Sequence, residues 1–159
     1  MATTYAAGEP IYGAGTQIRY VVLAAGVTAR PTTGFKVLTG VTTSEISGNQ
    51  DTKEIPGDYD SSGDGDWKDA RPGKRGWGFA LGANKKVDTP QANMLQELWD
   101  AWASGAYVWV ERLLPQDTHW RGGLAYITDP KEPAPFDGVV TFSCGFAGKK
   151  ALTKTAVTP

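Results

Sequence analysis

Residues 76–81 read Gly76-Trp77-Gly78-Phe79-Ala80-Leu81. Large apolar side chains alternate with glycine and alanine at period two, the pattern of a β-strand and not of a helix. Trp77, Phe79 and Leu81 are expected to face a core. The glycines on the other face let a neighbouring backbone come close. Outward from this strand the chain stays β-like. Residues 17–24, rich in Ile, Val and Tyr, read as a strand, as do residues 35–47 and a shorter stretch at 52–59 interrupted by Pro56. On the other side, residues 106–114 are almost wholly apolar or aromatic, as a central strand should be. Residues 123–128 and 139–147 complete the set. In the last of these Val140, Phe142, Cys144 and Phe146 share one face, so Cys144 reads as a small buried hydrophobe.

One segment breaks the pattern. Residues 90–104 predict an amphipathic helix of about 22 Å. Thr89 suits the cap, Pro90 the first turn and Gly105 the stop. Leu95, Leu98, Trp99 and Trp102 recur at i, i+3, i+4 and i+7 as one apolar stripe. Six to eight strands with one helix give a mainly β chain, a sandwich or barrel with a flanking helix. The 159 residues suit a single domain spanning 1–159. Residues 1–15 read as an extended N-terminal arm, 58–73 as a long polar loop between strands, and 149–159 as a short basic tail.

The inventory excludes much chemistry. One His and one Cys rule out most zinc sites, a disulfide framework and a Cys-X-X-Cys motif. A Ser-His-Asp triad would have to use His119, whose neighbours Asp117 and Thr118 are those of a solvated turn. No glycine-rich phosphate loop leads into the helix. The chain is therefore read as no enzyme, with no catalytic residue and no cofactor. The longest apolar run, residues 20–27, is far below the roughly 18 residues of a membrane span. Glu9 and Pro10 lie upstream of it, which argues against a signal peptide. Of the 6 Trp, Trp77, Trp99, Trp102 and Trp109 are expected on core-facing positions, leaving only Trp67 and Trp120 free. Two are few for a carbohydrate platform.

Residues 58–69 imitate a calcium loop. Asp58, Asp60, Ser62, Asp66 and Asp69 take the oxygen positions, Gly63 the turn position, and Asp64 lies between. Gly65 stands where an apolar residue belongs, Asp69 is shorter than the usual Glu, and no helix pair flanks the loop. A solvated acidic hairpin is the simpler reading, with no metal. Charge placement says more than the net charge of -1. From Asp51 to Asp66 there are six acids and one base, whereas the last eleven residues hold three lysines and no acid. Complementary charges at separate places suit a head-to-tail contact between copies.

Four local patterns now carry a resemblance: residues 48–57 (Gly48-Asn49-Gln50-Asp51-Thr52-Lys53-Glu54-Ile55-Pro56-Gly57), Trp77-Gly78-Phe79 leading to a helix that ends at Gly105, residues 121–128 (Arg121-Gly122-Gly123-Leu124-Ala125-Tyr126-Ile127-Thr128), and residues 140–148 followed by Leu152-Thr153. Together with the order of elements over most of the chain, they resemble the major tail tube proteins of long-tailed bacteriophages and phage-like gene transfer particles. The resemblance implies a β-sandwich with one flanking helix, hexameric rings that stack into a tube, and a channel for double-stranded DNA. It implies a location in the virion tail. It implies as partners the chain itself, a tape-measure protein, a tail terminator and distal tail or baseplate proteins, with DNA only as transient cargo. The long loop would reach the adjacent ring. On this reading Asp58, Tyr59, Asp60, Asp64, Asp66, Trp67, Arg71, Lys74, Tyr5, Tyr12, Lys149 and Lys150 would form contacts between subunits. A tail terminator or head-tail connector ring, the inner tube of a bacterial secretion apparatus and a carbohydrate-binding β-module are the alternatives.

Overall fold

The computed structural model describes residues 13–54, 70–86 and 89–157. Among them the chain forms eight strands and one helix: β1 (Gln17–Val22), β2 (Lys36–Val37), β3 (Val41–Glu54), β4 (Ala70–Asn84), α1 (Thr89–Ser104), β5 (Tyr107–Leu113), β6 (His119–Lys131), β7 (Thr141–Gly148) and β8 (Thr153–Ala156). The strands pair antiparallel in the order β2-β1-β5-β6-β7-β4-β3, and β8 pairs with β6. The sheet does not close on itself, since β2 and β3 stand at opposite ends of that order.

The period-two reading of residues 76–81 holds. Phe79, Leu81 and Ala83 of β4 are buried beside Phe142, Cys144 and Phe146 of β7, Val108 and Val110 of β5, and Ile18 and Tyr20 of β1. Phe79 and Phe146 meet edge to face with centroids 5.7 Å apart. Each such buried side chain contributes roughly 1.5–3 kcal/mol relative to exposure. Burial pushes the Cys144 thiol up to about 12, so it is a packing residue and not a nucleophile.

The helix lies where the sequence puts it. Its end is a Schellman turn: Ala106 N donates to Ala101 O, Gly105 N donates to Trp102 O, and Gly105 takes φ +68°. The Thr89 side chain, expected as the cap, lies outside the described residues. The buried face is Gln91, Leu95, Leu98 and Ala101. Trp102, expected in the apolar stripe, is 48% exposed. Small Ala101 meets the sheet, and Trp102 is left on the shoulder, edge-on to Trp99 at 5.9 Å. Trp120, expected free, is buried instead because Arg19 covers its ring at 3.8 Å.

Two further expectations change. Residues 35–47 and 52–59 do not form separate strands. Lys36–Val37 is its own short strand, and a turn at Gly40 (φ +74°) leads into one strand of 14 residues ending at Glu54. The polar stretch from Gly48 to Gln50 stays in the ladder because β4 supplies partners throughout, Gly48 opposite Trp77, Asn49 opposite Gly76 and Gln50 opposite Arg75. Backbone pairing needs no apolar side chain. Residues 55–59 of the expected strand lie outside the described residues. β6, in turn, is much longer than residues 123–128. Its upstream part, from His119 to Gly122, pairs with Thr153–Ala156, so residues of the basic tail re-enter the sheet as β8.

Gln91 ties three elements together. Its amide nitrogen donates to Thr39 O (2.7 Å) and Asn84 O (2.8 Å), and its oxygen accepts from Lys86 N (2.6 Å). A Cβ at Gly40 would collide with that amide. Tyr20 adds a second tie between sheet and helix, its hydroxyl 3.0 Å from the Glu97 carboxylate, which Lys36 also holds at 2.6 Å.

Candidate assembly surfaces

Residues directly opposite each other on paired strands share a sheet face. One row runs Tyr107, Tyr126, Ala147, Gly78, Ser47 from β5 to β3, and the next runs Thr128, Gly145, Ala80, Glu45. This face lies opposite the main core, and its two halves differ.

The β1–β5–β6 half is covered. Leu23, Trp109 and Leu124 form a second apolar cluster with Val21, Phe35 and Tyr107. Within it sits Glu111, 1% exposed. Its carboxylate accepts from Arg19 Nη2 (2.6 Å) and Nε (2.9 Å), from Arg30 Nε (2.7 Å) and from Trp109 Nε1 (2.9 Å). Arg19 is itself stacked between Trp120 and Phe35, 3.8 and 4.3 Å from the ring centres. Burial opposes ionisation of Glu111, but the hydrogen bonds from Arg30, Arg19 and Trp109 outweigh it and hold the carboxyl below the usual range. The cluster clamps the segment after β1, which carries Arg30 and Phe35, onto the sheet.

The β3–β4–β7 half is bare, flat and polar. Each glycine lies beside an oxygen-bearing side chain of the neighbouring strand. Asn49 lies over Gly76, Ser47 over Gly78, Thr43 over Gly82 and Thr128 over Gly145. A Cβ at Gly76 or Gly82 would strike the side-chain oxygen beside it. Ala80 and Ala147 fill intervening positions, and Glu45 is the one charge in the two rows. The result is a smooth surface of hydroxyls, amides and backbone, without a basic group in those rows; the next row, Thr43, Gly82 and Ser143, ends in exposed Lys131 of β6.

Beyond the end of β7, with Trp77 reaching it from the core side of the sheet, lies a groove of about 720 Å³, lined by Gly48, Gln50, Arg75, Trp77, Lys149, Lys150, Ala151 and Leu152 among others. Trp77 forms its wall, donating from Nε1 to Lys150 O at 2.6 Å. Gly148 is required there, because a Cβ would collide with the indole. Lys149 donates to the Tyr107 hydroxyl and lies 3.9 Å from its ring centre, and Lys150 donates to Thr28 Oγ1 at 3.0 Å. Among the described residues both lysines thus have neutral partners.

Of the expected contact residues, the structure brings Lys149 and Lys150 to this groove. Arg71 is exposed on β4 opposite Lys53, and Lys74 is exposed next to the irregularity between Gln50 and Thr52. Tyr5, Tyr12, Asp58, Tyr59, Asp60, Asp64, Asp66 and Trp67 lie outside the described residues, as do Ser62 and Asp69 of the calcium-loop pattern. Among the described residues no group of three or more His, Cys, Asp or Glu is placed to hold a metal ion. His119 opens β6 with its Nδ1 2.7 Å from Thr118 Oγ1. Sequence reading missed Glu111, Gln91 and the groove. For the groove a signal was present: a tryptophan flanked by glycines, and a later glycine followed by two lysines.

The sequence matches no protein-family model and no curated protein. The fold does have relatives among solved structures. A chain in the tail of an empty gene transfer agent particle, refined with helical C6 symmetry, superposes with TM-score 0.64 at 19% identity, over 88% of this chain and 95% of that one. A chain of the native gene transfer agent virion gives 0.66 at 18%, over 91% and 98%. The SPP1 tail tube gives 0.66 at 16%, over 94% and 81%. The chain therefore has the tail-tube fold, mainly β with one flanking helix as the sequence resemblance implied, its strands joined in one open sheet and not in the two sheets of a sandwich.

Proposed function

We propose that this chain is a structural subunit of a phage or gene-transfer-particle tail, forming rings that stack into a DNA-conducting tube. The observation that carries the reading is the fold, shared over most of the chain with chains of assembled tails. Two features support it. β3 has a second edge with no strand beyond it among the described residues, 14 residues long. A free edge of that length is an aggregation hazard unless a neighbouring copy pairs with it. The bare polar half of the sheet suits the wall of a bore. Each basic group there would add a phosphate contact, and stacked rings would multiply the drag on passing DNA. Six subunits per ring follow the C6 symmetry of the gene transfer agent tail. Residues 58–73 would reach the next ring. A tape-measure protein, a terminator and distal tail proteins would be partners, the virion tail would be the location, and no catalysis is needed.

Concentrated purified protein should give rings or tubes of uniform width in negative-stain electron microscopy. A monomer at every concentration and salt would overturn the reading. Reversing Asp58, Asp60, Asp64 and Asp66 to Lys should leave a folded subunit that no longer stacks. Unchanged tube yield would remove the acidic loop from the contact.

A further inference from the structure

The loop joining β6 to β7, residues 132–140, displays an aromatic ring in a braced turn. Phe136 is 108% exposed, and Val139 is 61% exposed. The turn is built rather than loose. Pro133 and Pro135 fix φ on either side of Ala134. Thr141 N donates to Pro133 O (3.3 Å), Gly138 N donates to Pro135 O (3.4 Å), and Lys85 N donates to Val140 O (2.9 Å). Its base is further held by Glu132, which pairs with Lys85 at 2.5 Å and accepts from Trp99 at 3.3 Å. Holding a phenyl ring in water forgoes the stabilisation that burying it would give. Asp137 stands next to it.

The Trp77 groove has the complementary character. Its charged lining residues, Arg75, Lys149 and Lys150, are all basic, and Trp77 and Leu152 give it an apolar wall, Leu152 being 42% exposed. The turn precedes Thr141, the first residue of β7, and the groove begins at Gly148, the last. Those eight residues span about 24 Å. Knob and hole therefore lie at opposite ends of one strand, the placement that lets a contact repeat from copy to copy without using up either surface.

We propose that the Phe136–Asp137 turn of one subunit seats in the Trp77 groove of a second copy of this chain, ring against Trp77 and Leu152, carboxylate against Lys149 and Lys150. The proposal rests on the reading of the chain as a self-assembling subunit and names a contact within that assembly.

Two purified variants that keep both contact side chains, Ala134→Cys in the turn and Ala151→Cys in the groove lining, are mixed and treated with a short bismaleimide. Buried Cys144 gives the background in the unmodified chain. Dimers joining one variant to the other are expected in excess over dimers of either variant with itself. Adding Asp137→Lys to the first variant should slow that cross-link about tenfold. Combining it with Lys149→Asp and Lys150→Asp in the second should restore the rate. A mixed cross-link no faster than a Ser47→Cys control, or one indifferent to the charge reversal, overturns the contact. Electron microscopy of the unmodified protein separates this from the broader reading. Tubes without the cross-link remove the contact alone, whereas the cross-link without rings or tubes keeps the contact and removes the tube.

Discussion

Glu111 shows what a single residue can do in a chain of near-zero net charge. Its carboxylate sits at 1% exposure among Leu23, Trp109 and Leu124, an environment that would ordinarily drive it neutral. Arg19 and Arg30 reverse that preference by direct hydrogen bonds. Because its pKa is lowered in the folded chain, its contribution to stability is complete above the ordinary glutamate value of about 4.3 and is lost as pH falls through the lower folded value. Glu111→Gln should destabilise the protein by about 3 kcal/mol at neutral pH, since two arginines lose their counter-charge. The difference in melting temperature between the variant and the unmodified protein should shrink below about pH 4. A constant difference down to pH 2 would show that the charge is not what matters. None of this was legible beforehand. Arg19 lies 92 residues from Glu111 and Arg30 lies 81 away, and nothing local marks the three as partners. Gln91 was hidden for the same reason, its partner Thr39 being 52 residues distant. Cys144 was legible, because its alternation with Phe142 and Phe146 already placed it on the buried face.

At the scale of elements, local pattern succeeded where side chains decide the outcome and fell short where backbone pairing decides it. The helix carried its own stop, and the Gly105 turn formed as read. β5 was legible from its apolar run, and β4 from the alternation around Phe79. The full lengths of β3 and β6 were not, because their outer parts are polar and are held as strands by partners, β4 in one case and β8 in the other. Central strands are correspondingly intolerant. Val110 is fully buried and lies between Tyr20 of β1 and Gly123 of β6. Gly122 beside it allows the two backbones to touch, for a Cβ there would overlap Val110 O. Val110→Pro should abolish folding, by removing a ladder donor and forcing a ring into that gap. Loss of the cooperative thermal transition in circular dichroism would confirm it, and a folded variant would mean that β5 is not the central strand.

For the whole molecule, the arrangement of charge is the argument. Basic residues gather at the Trp77 groove, while the middle rows of the β3–β4–β7 face carry hydroxyls, amides and glycine, with Glu45 their one charge. If that face lines a bore, the lack of basic groups in its middle rows is functional and can be removed without touching the core. Ala80 is exposed on β4 between Glu45 and Gly145, and Ser47 lies one row along. Ala80→Lys with Ser47→Lys should leave assembly intact, because neither side chain supports the main core. Tubes of the variant should retain double-stranded DNA fragments on sedimentation at low salt and release them as salt rises. Every phosphate that a new lysine neutralises should steepen the fall of log affinity with log salt by about 0.9. Tubes of the unmodified chain should retain little at any salt. Equal retention by both would mean that this face looks outward, and that another surface of the subunit meets the DNA.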